Sequence, residues 1–184
     1  MKKLLTILCL VLLVSCSNEP PPEVFFYELD ERQGIKYEVN SNTPFTGSSV
    51  DYYENGLRVE NGKVQVNYTG LRYRYNYKDG KQDGLSEDFH ENGQLDRRDN
   101  YKDGKQDGLS EDFRENGQLY SRKNYKDGKE EGLTEEFWEN GQLQFRINFK
   151  NGKEDGLWEY FDENGTQTSC YKNDEEVDMS YCED

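Results

Sequence analysis

From Tyr77 onward the apolar residues arrive in short bursts cut off by glycine, and the pattern recurs every 24 residues. Tyr77, Leu85, Phe89 and Leu95 reappear as Tyr101, Leu109, Phe113 and Leu119, then as Tyr125, Leu133, Phe137 and Leu143, and again as Phe149, Leu157 and Phe161. Between the bursts lie Asp-Gly and Asn-Gly pairs, the dipeptides that most easily reach the positive φ of a tight hairpin turn. Two short runs with a turn after each predict one β-hairpin per unit, and a fixed period in this range marks a repeat array. Nothing after the N-terminal stretch shows sustained helical periodicity. The expected fold is therefore all-β, an array of hairpin repeats forming one elongated, twisted antiparallel meander sheet. At about 4.8 Å per strand, four units give a sheet on the order of 40 Å long.

Register decides which side chains share a face. A three-residue loop at Glu91-Asn92-Gly93 pairs Phe89 with Leu95 and Glu87 with Arg97. The same loop at Lys102-Asp103-Gly104 keeps all odd-numbered residues together, so that Leu85, Phe89, Tyr101, Phe145, Ile147 and Phe149 form one apolar face. On that reading Glu111 faces Ser121 and Glu135 faces Phe145, and such carboxylates are either solvated in a groove or paired along the stack. The even face is polar until the last two units, which place Trp138, Trp158 and Tyr160 on it.

The flanks differ from the array. Residues 1–15 carry two lysines and then the apolar run Leu4 to Val14, too short to span a bilayer and placed like a signal-peptide core. They end in Leu13-Val14-Ser15-Cys16, which resembles the lipobox of bacterial lipoproteins; the resemblance implies that Cys16 becomes the lipid-modified first residue and that the protein is held in the bacterial envelope. Ser17, where an inner-membrane retention signal has Asp, leans towards the outer membrane. Residues 16–40 add a Pro20-Pro21-Pro22 tether and two expected short strands, Val24 to Leu29 and Ile35 to Val39. Residues 41–76 read as worn repeats, with Glu54-Asn55-Gly56 as a turn, residues 77–169 as the four regular units, and residues 170–184 as an acidic tail.

Charge narrows the partners. The formal net charge is −15, and it becomes −17 once Lys2 and Lys3 leave with the signal. Such a surface repels phosphate backbones, so nucleic acid is not an expected partner and a cationic one is favoured. Cys170 and Cys182 are either a disulfide closing the tail or two free thiols. His90 is the only histidine, with Arg114, Trp138 and Asp162 as its counterparts, so no repeated catalytic site uses it and no enzyme is expected. Asp79, Asp83, Asp103 and Asp107 sit where turns want Asp and lack the dense alternation of calcium loops; no metal or cofactor is expected.

Units of the form Tyr-Lys-Asp-Gly-Lys-x-x-Gly-Leu-x-x-x-Phe-x-x-Asn-Gly-x-Leu, from Pro44 to Gly165, resemble the MORN-variant repeat, and the run of them is similar to the YwqK family of antitoxin-like proteins. The resemblance implies a hairpin-array fold and a protein-interaction scaffold, in its narrowest form one that neutralises a toxin. An envelope carbohydrate or cell-wall binder is the alternative, because exposed aromatics anchor protein interfaces and sugar-stacking sites alike. Trp138, Trp158 and Tyr160 are the candidate partner surface, unless the Cys170 to Cys182 tail folds over them.

Overall fold

The computed structural model describes residues 23–60, 63–162 and 165–183, and of residues 55–60 and 63–68 it describes only the backbone. The signal segment, Cys16 and the Pro20-Pro21-Pro22 tether lie outside the described residues. Strands, in chain order, are β1 (Glu23–Phe25), β2 (Leu29–Arg32), β3 (Ile35–Glu38), β4 (Gly47–Glu60), β5 (Lys63–Lys78), β6 (Lys81–Phe89), β7 (Leu95–Lys102), β8 (Lys105–Phe113), β9 (Leu119–Lys126), β10 (Lys129–Glu130), β11 (Gly132–Phe137), β12 (Leu143–Lys150), β13 (Lys153–Asp162), β14 (Gly165–Lys172) and β15 (Glu175–Val177). All but β2 and β3 belong to one open sheet of 13 strands, each lying beside its sequence neighbour from β4 onward except that β10 and β11 both pair with β9. The described residues contain no α-helix, and no helix among them is long and apolar enough to cross a membrane.

Three expectations at the N-terminus change. The first strand ends at Phe25 and is followed by a 3-10 turn, Phe26–Glu28, so Val24 to Leu29 is not one strand. β1 pairs parallel to β4, an exception to the antiparallel meander. Glu54-Asn55-Gly56 does not turn either: the backbone runs on through β4, and β4 and β5 form one long hairpin that absorbs the broken spacing as register shifts.

Within the regular units the loop at residues 91–93 has the expected three residues. The His90 amide donates to the Gln94 carbonyl at 2.8 Å, the Gly93 amide to the His90 carbonyl at 2.9 Å, and Phe89 pairs with Leu95. The other turn is shorter than expected. Lys102 pairs with Lys105, leaving Asp103 and Gly104 as a two-residue turn with φ of 49° and 82°, the geometry of a type I′ hairpin. In addition Asp96 is bulged out, so Asp88 meets Arg97 and Glu87 meets Arg98. A second shift falls between Asp99 and Tyr101. The Asp96 bulge and the shortened turn each move the pairing by one residue, and a slip of one residue sends a side chain to the other face; the shift between Asp99 and Tyr101 is of two residues and keeps the faces.

The single apolar odd face is therefore not formed. One face, here the leucine face, carries Leu85, Leu109, Leu133 and Leu157 together with a row in which charges alternate across the sheet: Arg74, Glu87, Arg98, Glu111, Arg122, Glu135, Arg146, Glu159. Arg98 lies 3.6 Å from Glu111, Arg122 lies 3.4 Å from Glu135, and Arg146 pairs with Glu159. The glutamates are thus paired along the stack, and Glu111 and Glu135 face arginines rather than Ser121 and Phe145. The opposite, tyrosine face carries Tyr77, Tyr101 and Tyr125 and the most deeply buried side chains of the array, Ser86, Asp99, Ser110, Ser121, Thr134 and Ile147. Small residues fill its centre because taller neighbours on adjoining strands close over them.

Successive units are tied at both rims. At the Lys-Asp-Gly-Lys turns, the Gly104 and Gly128 amides donate to the Gln82 and Gln106 carbonyls at 2.8 Å, and the Asp103 and Asp127 amides donate to the carboxylates of Asp83 and Asp107. Inside the sheet, the Asn76, Asn100 and Asn124 side-chain amides donate to the carbonyls of Leu85, Leu109 and Leu133. The recurring Asp and Asn residues thereby satisfy buried or turn backbone groups that would otherwise go unpaired.

Candidate functional site: the open end of the tyrosine face

Trp138 leaves the end of β11, and Trp158 and Tyr160 stand two residues apart on β13, where alternation puts them on the same face. The Trp158 and Tyr160 rings stack with centroids 6.0 Å apart and planes 6° apart, and Trp138 meets Tyr160 edge-on at 6.2 Å. The structure thus gathers the three aromatics into one cluster. Trp158 pairs with Ile147 and Tyr160 with Phe145, so Phe145, Ile147 and Phe149 share this face instead of lying on the opposite one. An open cleft of about 1110 Å³ begins at Trp138 and Tyr160 and is bordered by Arg114, Glu139, Gln144 and Asp162. A neighbouring hollow of about 680 Å³ runs over Phe145, Phe149 and Trp158 to Lys123, Glu130 and Glu136.

Trp138 has a structural duty as well. Its indole N–H donates to the Phe161 carbonyl at 3.2 Å, as the Arg114 guanidinium donates to the Phe137 carbonyl at 2.7 Å, while the His90 Nε2 lies 3.1 Å from the Phe113 carbonyl. Position 90 of the unit and its counterparts form a clamp from one hairpin to the next, and any ring or fork bearing an N–H can serve. This accounts for His90 without chemistry. It also means that replacing Trp138 by Ala removes a clamp together with a surface ring.

The tail does not cover the cluster. Cys170 pairs with Leu157, hence points to the leucine face, and is joined to Cys182 by a disulfide with the Cα atoms 6.1 Å apart. Val177 lies opposite Cys170, the Tyr181 hydroxyl donates to Asp155, and the Lys172 ammonium sits over the Tyr181 ring, all behind the sheet as seen from Trp158. Cys170 is fully buried by this arrangement.

Electrostatics change along the tyrosine face. In the middle units the Arg97 guanidinium, the Gln106 amide and the Ser110 hydroxyl converge on the buried Asp99 carboxylate at 2.7, 3.1 and 2.5 Å, and the hydrogen bond from Arg97 to Asp99 raises the arginine pKa further. Burial pushes the Asp88 carboxyl above its ordinary value, opposed by the hydrogen bond it accepts from the Tyr75 hydroxyl at 2.7 Å. Burial and the Glu130 carboxylate push Tyr125 up to about 12. In the last units Ile147 occupies the place of Asp99 and Phe145 that of Arg97, so the network has no counterpart there. Residues such as Glu136, Phe145 and Ile147 were not singled out from the sequence. The available signal was the column of residues 97, 121 and 145 and that of 99, 123 and 147, two of the places where the first three regular units all differ.

Asp83 and Asp107 cap the next turn, as above, and among the described residues no three His, Cys, Asp or Glu converge on a common point. Residues 82–103, 106–127 and 130–151 match the MORN repeat variant. These MORN-type units coincide with β6–β7, β8–β9 and β10–β12, the stretch where one hairpin follows another at constant spacing. No curated protein matches the chain. Among solved structures, it is similar over 50% of its length to 19% of a Staphylococcus aureus TarM mutant in complex with fondaparinux, alpha-GlcNAc-glycerol and UDP, at 15% identity and a TM-score of 0.34. It is similar over 79% of its length to 22% of accessory secretory protein 1, 2 and 3 of Streptococcus pneumoniae, at 12% identity and a TM-score of 0.32. A GtfA/B complex bound to UDP and GlcNAc gives 16% identity and 0.27, with 79% of this chain and 29% of that one. The chain spans less than a third of each of these, and likeness this slight carries no argument about activity. The MORN-type units are consistent with a repeat-based interaction module.

Proposed function

We propose that the protein is an interaction scaffold with no catalytic activity of its own, held on the bacterial envelope by a lipid on Cys16, which engages a partner protein with the open aromatic end of its tyrosine face. The observation that carries this reading is the Trp138–Trp158–Tyr160 cluster, on which no described element of the chain packs. Clustered Trp and Tyr at a concave site are the usual anchors of a protein interface. A lipid-modified Cys16 would place the array at an outer-membrane surface, with the proline tether as a stiff spacer. Neutralisation of an exported toxin, the role suggested by the YwqK resemblance, is the narrower form of this function. The envelope-carbohydrate alternative is less favoured, because the Asn140 side chain at the cleft is already engaged: its amide donates to Gln142 Oε1, and its Oδ1 accepts from the Gln142 backbone N–H.

Two measurements test the proposal in living cells. Palmitate labelling should mark the wild-type chain and be lost in Cys16→Ser. A photo-crosslinking amino acid at position 158 should give a discrete protein adduct that the same group at Tyr27, in the exposed N-terminal 3-10 turn, does not. Absence of any adduct from position 158, with the chain at normal abundance, would remove the interaction reading.

A further inference from the structure

We propose that the open end of the tyrosine face is a receptor for an arginine side chain, presented on an extended basic segment of the partner, an inference that rests on the interaction function proposed above. The reason lies in one row of the sheet, which runs Tyr73, Asp88, Arg97, Asp112, Ser121, Glu136, Phe145, Tyr160. Its first two carboxylates are provided for. Asp88 accepts from Tyr75, and Asp112 accepts from Ser121 at 2.7 Å with Arg97 3.8 Å away. The third, Glu136, has Phe145 beside it where Asp88 has Arg97, and Ser121 on its other side where Asp112 has Arg97. Its one hydrogen bond among the described residues comes from the Tyr120 hydroxyl at 3.4 Å, and it makes no ion pair there. A half-buried carboxylate without a cation, next to an aromatic cluster, is a guanidinium site lacking its guanidinium.

The aromatic rings show the same gap. Elsewhere the chain lays its own cations over its rings: Arg114 over Tyr120 at 4.7 Å, Arg122 over Phe137 and Arg146 over Phe161 at 5.9 Å, Lys36 over Phe26 at 4.9 Å. Among the described residues no such cation lies over Phe145, Trp158 or Tyr160. The basic groups nearest the cleft are engaged, Arg114 with the Phe137 carbonyl and Lys123 with Glu130 at 3.6 Å. The occupant must therefore bring its own charge, and a chain of net charge −15 draws basic segments to itself. Arginine fits better than lysine, because a planar guanidinium can stack on a ring while two of its N–H groups meet a carboxylate. The row accepts an extended segment, since Glu136 and Tyr160 are separated by the single strand β12.

The experiment uses the full chain in detergent micelles, with an oligo-arginine peptide and its citrulline analogue as probes, read by tryptophan fluorescence and by calorimetry at fixed ionic strength. The arginine peptide should bind and the citrulline peptide should not, and Glu136→Gln should weaken binding by about tenfold, the scale of one charge-assisted contact. Asp30→Asn, which removes one exposed charge from the far hairpin, should leave the affinity within about twofold. Trp158→Leu, which keeps apolar cover over Ile147 but removes the ring face, should weaken binding comparably to Glu136→Gln. Equal effects of Glu136→Gln and Asp30→Asn would overturn the inference in favour of diffuse charge attraction. Binding of the citrulline peptide or of a neutral oligosaccharide that depends on Trp158 but not on Glu136 would overturn it while leaving the aromatic platform standing. Insensitivity of all binding to Trp158→Leu would take down both. Circular dichroism of each variant, expected to match the wild type, keeps these outcomes separate from misfolding.

Discussion

The two ends of the tyrosine face are built alike and finished differently. At the N-terminal end Tyr73 and Tyr75 stack at 4.8 Å and Phe26 meets Tyr73 edge-on; at the C-terminal end Trp158 and Tyr160 stack and Trp138 meets Tyr160 edge-on. The first cluster has a cap laid against it, which leaves Tyr73 and Tyr75 half-buried. Phe26 and the β2–β3 hairpin lie over it, Phe45 is buried against Tyr77, and the amides of Lys36, Phe45 and Gly80 close a ring of backbone bonds with Gly80, Lys36 and Phe45 carbonyls at 2.7–2.9 Å. The second has no such cap among the described residues, although the chain had a tail to spend and pinned it to the other face through Cys170. An aromatic pair at the end of a sheet is thus core or contact surface according to what is laid on it. Between the two ends the same face is polar, which shows that the array does not need an apolar row to hold its strands together.

That contrast can be broken in several places, with effects expected in decreasing order. Ile147→Asp transplants the carboxylate of Asp99 into the C-terminal end, where Phe145 stands in place of Arg97. Burying it without a cation should cost on the order of 4 kcal/mol or unfold the last units, as read by urea denaturation. Asp99→Ala removes the acceptor shared by Arg97, Gln106 and Ser110. Because the Arg97 side chain is 41% exposed and can turn to water, a loss of about 2–3 kcal/mol is expected, less than for a fully buried pair. If both substitutions cost the same, the polar middle and the apolar end are not electrostatically distinct.

Gly80→Ala tests the cap. Gly80 and Gly104 are equivalent turn glycines with φ of 75° and 82°, so alanine strains both backbones similarly, but a Cβ on Gly80 would run into Ile35 and the Lys36 carbonyl whereas one on Gly104 would stand 3.7 Å from Lys81. Gly80→Ala should therefore cost about 1–2 kcal/mol more than Gly104→Ala and raise hydrogen exchange in the β2–β3 hairpin. Equal costs would mean that the cap is not packed where the structure places it.

The smallest effect is in alkaline pH. Tyr73 and Tyr125 are raised from 10 to about 12, chiefly by burial, and Tyr77 and Tyr101 shift the same way. The folded chain holds these protons more tightly than the unfolded chain, so the stability they contribute is complete below pH 10 and is lost as pH rises through about 12. Tyr125→Phe, which copies Phe149 of the next unit, should make this alkaline decline shallower, measured as stability against pH alongside tyrosinate absorbance. An unchanged slope would place the titration elsewhere.

The repeat period, the two turns per unit and the all-β array were legible because turn chemistry is local: Asp-Gly, Asn-Gly and the Phe89–Leu95 loop need only a few neighbouring residues. The gathering of Trp138, Trp158 and Tyr160 was legible from their alternation on a strand. What alternation could not reveal was the identity of the rest of their face. Asp96 is bulged out and Asp103-Gly104 turns in two residues rather than three, and neither is visible as a break in the apolar pattern. With their counterparts in the later units they moved Phe145, Ile147 and Phe149 to the side of Trp158, shifted Glu87 from Arg97 to Arg98, and set Glu111 and Glu135 opposite arginines.

The sequence by itself determined that this chain is a hairpin array and where its units begin and end, since each hairpin is specified by its own turns. Only the tertiary structure decided which face is which, because a one-residue bulge or turn change leaves no break in the apolar pattern and reverses every side chain after it. It also decided which aromatic cluster is capped by another described segment and which is not. That outcome depends on contacts between residues far apart in the chain, Phe45 with Tyr77 at one end and Cys182 with Cys170 at the other.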